Sequence, residues 1–306
     1  MAKKSSKIAL TYFITIIVTF IVIGGLGYML LQYLQNPTEK DAEEVSIMPI
    51  DNQQGYVPAE KNNVSTLFIF DSEKRLSGTC FMLVRAVATE RKLVIMPLPS
   101  DTAATLDGSE NSLYEFYRLS GTQKAVSAVE SFTGTKIDYY MKLNNESFTS
   151  LVAVFGGIDV NIPYNLVYTN PDTGEETIYR EGSTYADYNV LRKILTYPLY
   201  TAGEEYRAKI LGVTASDLIN KNVTGSFSSH VDDYFSTVIN SPVETNFTAY
   251  DYEEHSEALK YIASSNERIA QLVTVTGAYN DNNFFELDAN FVRAIPEWLS
   301  LNNTEE

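Results

Sequence analysis

The chain has 306 residues, of which 44% are hydrophobic and 12% aromatic, enough to build one large domain or two small ones around a real core. Its formal net charge of −16 argues against a nucleic-acid partner and against adsorption to anionic lipid, because both require a basic face. A single cysteine and two histidines exclude a disulfide framework and a zinc cluster, and they disfavour a histidine metal site.

An uncharged apolar segment over residues 8–34 is long enough to form a helix that crosses a bilayer. Lysines within residues 1–7 precede it, and acidic residues follow from Glu39 onward. The positive-inside rule therefore predicts a single-pass plasma-membrane protein with a cytoplasmic N-terminus and an extracytoplasmic remainder. The alternative is a cleaved signal peptide, but such a peptide has a shorter apolar region and a small-residue cleavage site. Residues 35–62, with three prolines and several acids, are predicted to be an extracytoplasmic tether.

After the tether, strand and helix patterns interleave, which predicts an α/β (α+β) fold built in layers. Strand patterns cover residues 65–71, 78–88, 91–99, 136–144, 158–168, 176–182 and part of 271–280. Helix patterns cover residues 121–134, 148–157, 189–200, 204–223 and 257–272, with a closing helix from Asp288. "ATER" and "TNPDTG" have the composition of hairpin turns.

The cysteine and the motif content give no catalytic signature. Cys80 lies in the apolar run "GTCFMLV" with no histidine nearby in sequence, so it is predicted to be a small buried side chain rather than a catalytic thiol. The chain has no glycine-rich nucleotide-binding motif, no G-x-S-x-G and no H-E-x-x-H.

One carboxylate stands at the end of a predicted buried strand. In "VIMPLPSDT", residues 94–102, two prolines end the apolar run and Asp101 follows in the loop. A carboxylate at a strand end can bind a cation, and it can equally cap the next turn. The local pattern leaves both interpretations open.

The order of these segments resembles a known family. An apolar anchor is followed by a strand ending in Asp71, a strand opened by S-x-T at 77–79, and a strand ending in P-x-D-T at 99–102. A helix then leads into "AVESFTGTKIDYYMKLNNESFTSLVAVFGGIDVNIP". This arrangement is similar to the LytR-CpsA-Psr family of bacterial cell-envelope proteins over about residues 64–220.

The resemblance implies an α-β-α sandwich with an apolar tunnel for a polyprenyl chain. It assigns residues 63–240 to that domain and leaves 241–306 as its completion or a small appendage. It also implies transfer of a glycopolymer from polyprenyl pyrophosphate to peptidoglycan, assisted by Mg²⁺. Arginines and a cation held by carboxylates are suited to neutralise a pyrophosphate leaving group.

Matched position by position, the family's metal-binding residues are only partly retained. The aspartate of its R-S-D-T motif falls on Gly78, and the arginine of that motif is at best displaced to Arg75. In its P-R-D-T motif the arginine is replaced by Ser100, while Asp101 is kept as an implied metal ligand. Asp71 is the second candidate metal ligand. Mg²⁺ binding is therefore in question.

The family's phosphate-binding arginines are also partly retained. Arg192 is kept while Val190 replaces its neighbour, and Arg207 is kept while Ile210 and Leu211 replace an arginine and a glutamine. Arg75, Arg192 and Arg207 are therefore the candidate catalytic arginines. Arg192 can also be a solvated helix residue, and Arg207 can pair with Glu204, three residues earlier on the same helix.

These losses predict a family member with weakened or lost phosphotransferase activity. It would bind polyprenyl-linked precursors or assist polymer attachment, with an active paralogue as a candidate partner. The first alternative is an active Mg²⁺-dependent transferase. The second is an unrelated anchored binding or scaffold protein, which the acidic, tyrosine-rich composition would also suit.

Overall fold

A computed structural model of the chain describes residues 56–71, 78–153, 156–162, 164–169, 173–197, 203–223, 225–232 and 240–301. The predicted transmembrane helix and most of the predicted tether lie outside these residues. Within the described ranges, no helix is both long enough and apolar enough to cross a bilayer.

Short strands and helices alternate along the described residues. The strands are β1 (Val64–Phe70), β2 (Cys80–Val87), β3 (Lys92–Leu98), β4 (Ala103–Leu106), β5 (Ser109–Ser112), β6 (Tyr139–Leu143), β7 (Ile158–Ile162), β8 (Leu166–Thr169), β9 (Glu176–Tyr179), β10 (Gly182–Ala186), β11 (Glu244–Thr245), β12 (Ala270–Leu272), β13 (Gly277–Tyr279) and β14 (Phe285–Leu287). The helices are α1 (Leu113–Thr133), α2 (Asn145–Ala153), α3 (Tyr188–Leu195), α4 (Gly203–Asn222), α5 (Ala249–Ala263) and α6 (Ala289–Trp298).

A six-stranded sheet organises the domain in the order β11-β6-β1-β2-β3-β12. β1 is parallel to β6, β3 is parallel to β12, and β2 runs antiparallel between β1 and β3. As a result, the chain leaves β1, β3 and β6 at the same end of the sheet, where β2 begins. We call this the carboxyl end of the sheet, marked by Phe70, Leu98 and Leu143.

The two faces of the sheet are covered by different helices. Leu67 and Ile69 of β1 pack with residues of α1 and α6 in one apolar cluster. Phe68 and Phe70 of the same strand face a second cluster that includes Ile210 and other residues of α4. Because alternate residues of a strand point to opposite faces, α1 and α4 lie on opposite sides of the sheet. The prediction of a mixed α/β fold is confirmed.

Most local predictions are confirmed, with shifted ends. The β8–β9 hairpin and helix α4 lie where the sequence predicted them. The helix predicted from residue 121 begins earlier, at Leu113, and is interrupted at Gly121, whose φ of 76° is not helical.

The helix predicted over residues 257–272 is wrong in its second half. Helix α5 ends at Ala263, and Ala270–Leu272 forms strand β12 beside β3. Residues 264–269 contain two serines and an asparagine, which favour turns over helix interiors.

Candidate functional site

Several of the predicted site residues meet at the carboxyl end of the sheet. Asp71 follows β1, Gly78 precedes β2, and Ser100 and Asp101 follow β3. Because β2 lies between β1 and β3, the strand ends that carry Asp71 and Asp101 are about 10 Å apart. The fold therefore gathers these positions but keeps the two aspartates on separate strands.

Arg207 fills the space beside Gly78. The arginine side chain on α4 is only 1% exposed. A Cβ atom at residue 78 would lie 2.1 Å from Cζ of Arg207, 2.4 Å from Nη1 and 2.5 Å from Nε. Any side chain at residue 78 would collide with the guanidinium, so Arg207 occupies the volume that an aspartate there would need.

Within the described residues, the guanidinium of Arg207 donates hydrogen bonds to three acceptors. Its Nε and Nη2 donate to the two carboxylate oxygens of Glu204 at 2.8 and 3.0 Å, and Nη1 donates to the carbonyl oxygen of Leu195. Ser100 Oγ also donates to Glu204, at 2.8 Å. The pairing with Glu204, which the helical spacing offered as the alternative, is present as a bidentate ion pair.

Asp101 presents an unsatisfied oxygen. Its Oδ1 is buried without a hydrogen-bond partner among the described residues. Burial raises the pKa of Asp101, the Tyr279 hydroxyl opposes this, and the nearby charges of Glu204 and Glu205 raise the pKa further. A buried acceptor without a donor is rare and calls for a ligand, an ion or a water.

Asp71 is engaged by helix α1. Tyr117 donates its hydroxyl to Asp71 Oδ2 at 2.7 Å, and the Asp71 backbone N–H donates to Leu143 at 2.9 Å. The ammonium of Lys142 lies 5.6 Å from the centre of the Tyr117 ring. Asp71 therefore has a structural partner, and its predicted role as a metal ligand remains a prediction.

Arg192 lies half-buried in the last turn of α3, a helix whose start is capped by the Asp187 side chain. Its guanidinium makes no hydrogen bond or ion pair to any part of the chain that the structure describes. It is therefore available to a ligand, and its predicted role stays a prediction. Arg75 lies outside the described residues.

The apolar residues that replace the family's polar residues pack into the core. Ile210 and Leu211 are 5% and 8% exposed and belong to the apolar cluster behind the sheet, and Val190 packs against the same cluster. Their side chains contribute to the core and present no charge to a phosphate.

Cys80 matches its prediction as a buried side chain. It is 3% exposed, its Sγ lies 3.6 Å from the Leu195 carbonyl oxygen, and burial raises its pKa to about 12. A thiol with this pKa is almost fully protonated at neutral pH and is a poor nucleophile.

Few described side chains at this end of the sheet could bind a divalent cation. No group of three histidine, cysteine or acidic side chains that could hold a metal occurs among the described residues. Mg²⁺ accepts one or two protein carboxylates when phosphate oxygens and waters complete its shell. Oδ1 of Asp101, which has no partner in the part of the chain that the structure describes, meets that minimal requirement, whereas Gly78 contributes no ligand.

Comparison with known proteins identifies the family. The sequence model of the LytR_cpsA_psr family matches residues 32–187. This chain belongs to that family. The resemblance seen in the motifs is confirmed, and the alternative of an unrelated scaffold protein is excluded. Arg192, Arg207 and Tyr279 lie beyond the matched residues.

Individual proteins resemble this chain in sequence or in fold. The chain is 28% identical over 210 residues to the polyisoprenyl-teichoic acid–peptidoglycan teichoic acid transferase TagU of Bacillus subtilis (strain 168), covering 69% of this chain and 61% of the relative. The match thus spans less than two thirds of that enzyme's length.

Solved structures resemble the fold of this chain. A crystal structure of a protein from Eubacterium siraeum, described as a transcription regulator, has a TM-score of 0.69 at 23% identity, and the match covers 85% of this chain and 99% of that protein. The structure of B. subtilis TagV has a TM-score of 0.63 at 20% identity, covering 80% and 100%.

Tyr279 was missed by the sequence reasoning. It is the last residue of β13, in a stretch that predicted only a late strand. The β13–β14 hairpin returns to the loop after β3, where the backbone N–H of Phe285 donates to the Asp101 carbonyl at 2.8 Å, and this brings the Tyr279 hydroxyl beside Gly203 at the start of α4. No local pattern signals such a long-range contact.

Proposed function

We propose that this chain is a membrane-anchored, extracytoplasmic protein that binds a polyprenyl-linked glycopolymer and assists its attachment to peptidoglycan, with weakened phosphotransfer chemistry of its own. Family membership and the activity for which the TagU relative is named support the substrate class. The apolar segment 8–34, preceded by lysines, supports the anchor and the cytoplasmic N-terminus.

The observation that carries the weakened chemistry is the contact between Arg207 and Gly78. A phosphate-binding arginine must point its donors at the ligand, but all three guanidinium nitrogens of Arg207 donate to Glu204 or Leu195 within the described residues. The guanidinium also fills the volume of the missing metal-binding side chain. One rearrangement therefore removes both a cation ligand and an anion ligand from the site.

The charges at the carboxyl end of the sheet also support weakened phosphotransfer chemistry. The positive charge of Arg207 is neutralised by Glu204, while Asp71, Asp101 and Glu205 add negative charge at the same end of the sheet. A pyrophosphate carries negative charge that this surface repels unless cations accompany it. Binding of the carrier must then depend on the apolar polyprenyl chain more than on its phosphates.

The test uses the full chain in nanodiscs of uncharged lipid with a polyprenyl pyrophosphate-linked glycan, with and without Mg²⁺. Lipid binding and phosphate-bond cleavage are followed in parallel, with TagU as the positive control. We expect binding with turnover at least 100-fold below that of TagU. Turnover equal to that of TagU contradicts the weakened chemistry, and absence of binding contradicts the whole proposal.

A second candidate function is an active Mg²⁺-dependent transferase, and the unpartnered Oδ1 of Asp101 favours it. Asp101 would hold the ion together with phosphate oxygens, and Arg192 would contact the pyrophosphate. The ion would supply charge neutralisation to the leaving group. Cleavage that requires Mg²⁺ and is lost in Asp101→Asn and Arg192→Ala, but not in Arg293→Ala on the exposed surface of α6, would establish this alternative.

A further inference from the structure

The two-stranded sheet formed by β7 and β10 has one exposed face. The strands pair antiparallel, with Asp159 opposite Tyr185 and Asn161 opposite Ser183. Because alternate residues of a strand point to opposite faces, these four side chains share one face, and all four are exposed. The intervening residues of β7 are buried in the core. We call the four exposed side chains the polar face.

The Tyr185 ring is exposed on this face and packed against the backbone at one edge. Its side chain is 63% exposed. A Cβ atom at Gly157 would lie 2.5 Å from Cζ of the Tyr185 ring and 2.9 Å from the carbonyl oxygen of Ala186. Only glycine at residue 157 therefore lets the ring lie where it does. Tyrosine held in this way offers a large contact area at a low cost in conformational entropy.

The polar groups of the face are available to a ligand. The side chains of Asp159, Asn161, Ser183 and Tyr185 make no hydrogen bond or ion pair to any group in the described ranges of the chain. A carboxylate accepts hydrogen bonds, an amide both accepts and donates them, and so does a hydroxyl. The face thus combines an apolar ring with both kinds of hydrogen-bonding group.

This combination suits an uncharged saccharide. Sugar rings have C–H surfaces that pack on an aromatic ring and hydroxyl groups that both donate and accept hydrogen bonds. Neither β7 nor β10 contains a lysine or an arginine. The ammonium of Lys221 donates to the Gly157 carbonyl at 3.3 Å at the start of β7 and offsets the charge of Asp159. The face therefore has no excess of positive charge with which to attract a polymer of phosphates.

Helix α3 connects the polar face to the carboxyl end of the six-stranded sheet. It begins at Tyr188, shortly after β10, and ends at Leu195, whose carbonyl oxygen accepts a hydrogen bond from Arg207. With 8 residues and a rise of about 1.5 Å per residue, the helix is about 12 Å long. A glycan of a few sugar units on the polar face can therefore extend to the site where attachment of the polymer is proposed.

We infer that the polar face binds the uncharged glycan strand of peptidoglycan, the acceptor of the polymer. This inference rests on the proposed function, which supplies peptidoglycan as the acceptor. The charges of the face disfavour the alternative occupant, a phosphate-containing wall polymer. Tyr185 supplies the stacking surface, and Asp159 and Asn161 supply hydrogen bonds to the sugar hydroxyls.

The test titrates the full chain in uncharged detergent with chitotetraose, an uncharged tetramer of N-acetylglucosamine. The amide signals of Asn161, Ser183 and Tyr185 report binding at the polar face. We expect Tyr185→Ala to weaken binding about tenfold, because it removes the stacking surface, and Tyr185→Phe to stay within about threefold of the wild type. Tyr250→Ala, at a tyrosine that is 74% exposed on α5, is the matched control and should leave the titration unchanged.

A second variant keeps the test valid if Tyr185→Ala fails to fold. Asn161→Ala leaves the ring packing intact and should weaken binding about fivefold through loss of hydrogen bonds. Poly(glycerol phosphate), titrated in the same way, should leave the three amide signals unshifted.

Three results would overturn the inference. They are a wild-type chain whose three amides do not shift with chitotetraose, an affinity within about twofold of the wild type in both Tyr185→Ala and Asn161→Ala, and shifts of the same amides by poly(glycerol phosphate). Binding of polyprenyl pyrophosphate without a glycan is measured separately. It tests the proposed function independently of the polar face.

Discussion

Gly78→Ala tests whether the packing of Arg207 holds the site in its present form. The new Cβ would lie 2.1 Å from Cζ of Arg207, so the guanidinium must leave its position. Movement breaks the bidentate pair with Glu204 and the bond to Leu195, and it leaves buried polar groups without partners. We therefore expect a methyl group, which is harmless at an open glycine, to destabilise the fold.

The magnitude follows from the burial of the pair. Breaking a buried ion pair costs about 3–5 kcal/mol, and the lower end applies because the Glu204 side chain is 25% exposed. Replacing glycine by alanine recovers about 0.4–1 kcal/mol through the unfolded chain. The net loss should be about 2–3 kcal/mol, which corresponds to a fall of about 1 M in the urea midpoint.

The assay is urea unfolding in a double-mutant cycle with Arg207→Ala. In the Arg207→Ala background the guanidinium is absent, so Gly78→Ala should cost less than about 0.5 kcal/mol. The reasoning fails if Gly78→Ala costs less than about 0.5 kcal/mol in the wild-type background, or if its cost is the same in both backgrounds.

Other predictions concern single groups around the site. Since the pKa of Asp101 is raised, the native state resists ionisation, and the wild type loses stability as pH rises above the ordinary value of 3.8. Asp101→Asn should therefore gain stability relative to the wild type at pH 7 but not at pH 3.5, and an equal difference at both would contradict the shift. Ser100→Ala should cost about 1 kcal/mol in urea unfolding through loss of its bond to Glu204, and Ser127→Ala, which removes a solvent-exposed bond to the Gln123 carbonyl, is the control. Cys80, with a pKa of about 12, should resist Ellman's reagent at pH 8 until urea unfolds the chain, and rapid native labelling would contradict its burial.

The sequence predicted elements whose determinants are local. Helix α4 follows from a periodic apolar pattern, and the β8–β9 hairpin follows from its turn residues. The ion pair between Glu204 and Arg207 follows from helical spacing alone. The helical residues before Gly121 were missed, because the predicted helix began at Gly121, where the backbone leaves the helical conformation.

The site itself depends on contacts that no local pattern encodes. The sequence showed that Gly78 lacks a carboxylate, but it did not show that Arg207 fills the vacated volume. It also gave no signal that the β13–β14 hairpin, which carries Tyr279, would return to the loop after β3, because the two segments are far apart in the sequence. Both contacts follow from the tertiary packing.

The glycine at residue 78 and the buried arginine at residue 207 act as one unit. With glycine, the guanidinium can enter and bind Glu204, and once it has entered, no side chain at residue 78 fits without displacing it. Restoring the family's aspartate alone would therefore place a carboxylate against an arginine that is already neutralised, at the cost of the existing pair. A return to two metal carboxylates would require Arg207 to be released from Glu204 in the same step. The described geometry thus disfavours a reversion at residue 78 alone. The double-mutant cycle with Arg207 tests this coupling between the two residues, which a lone Gly78→Asp variant does not.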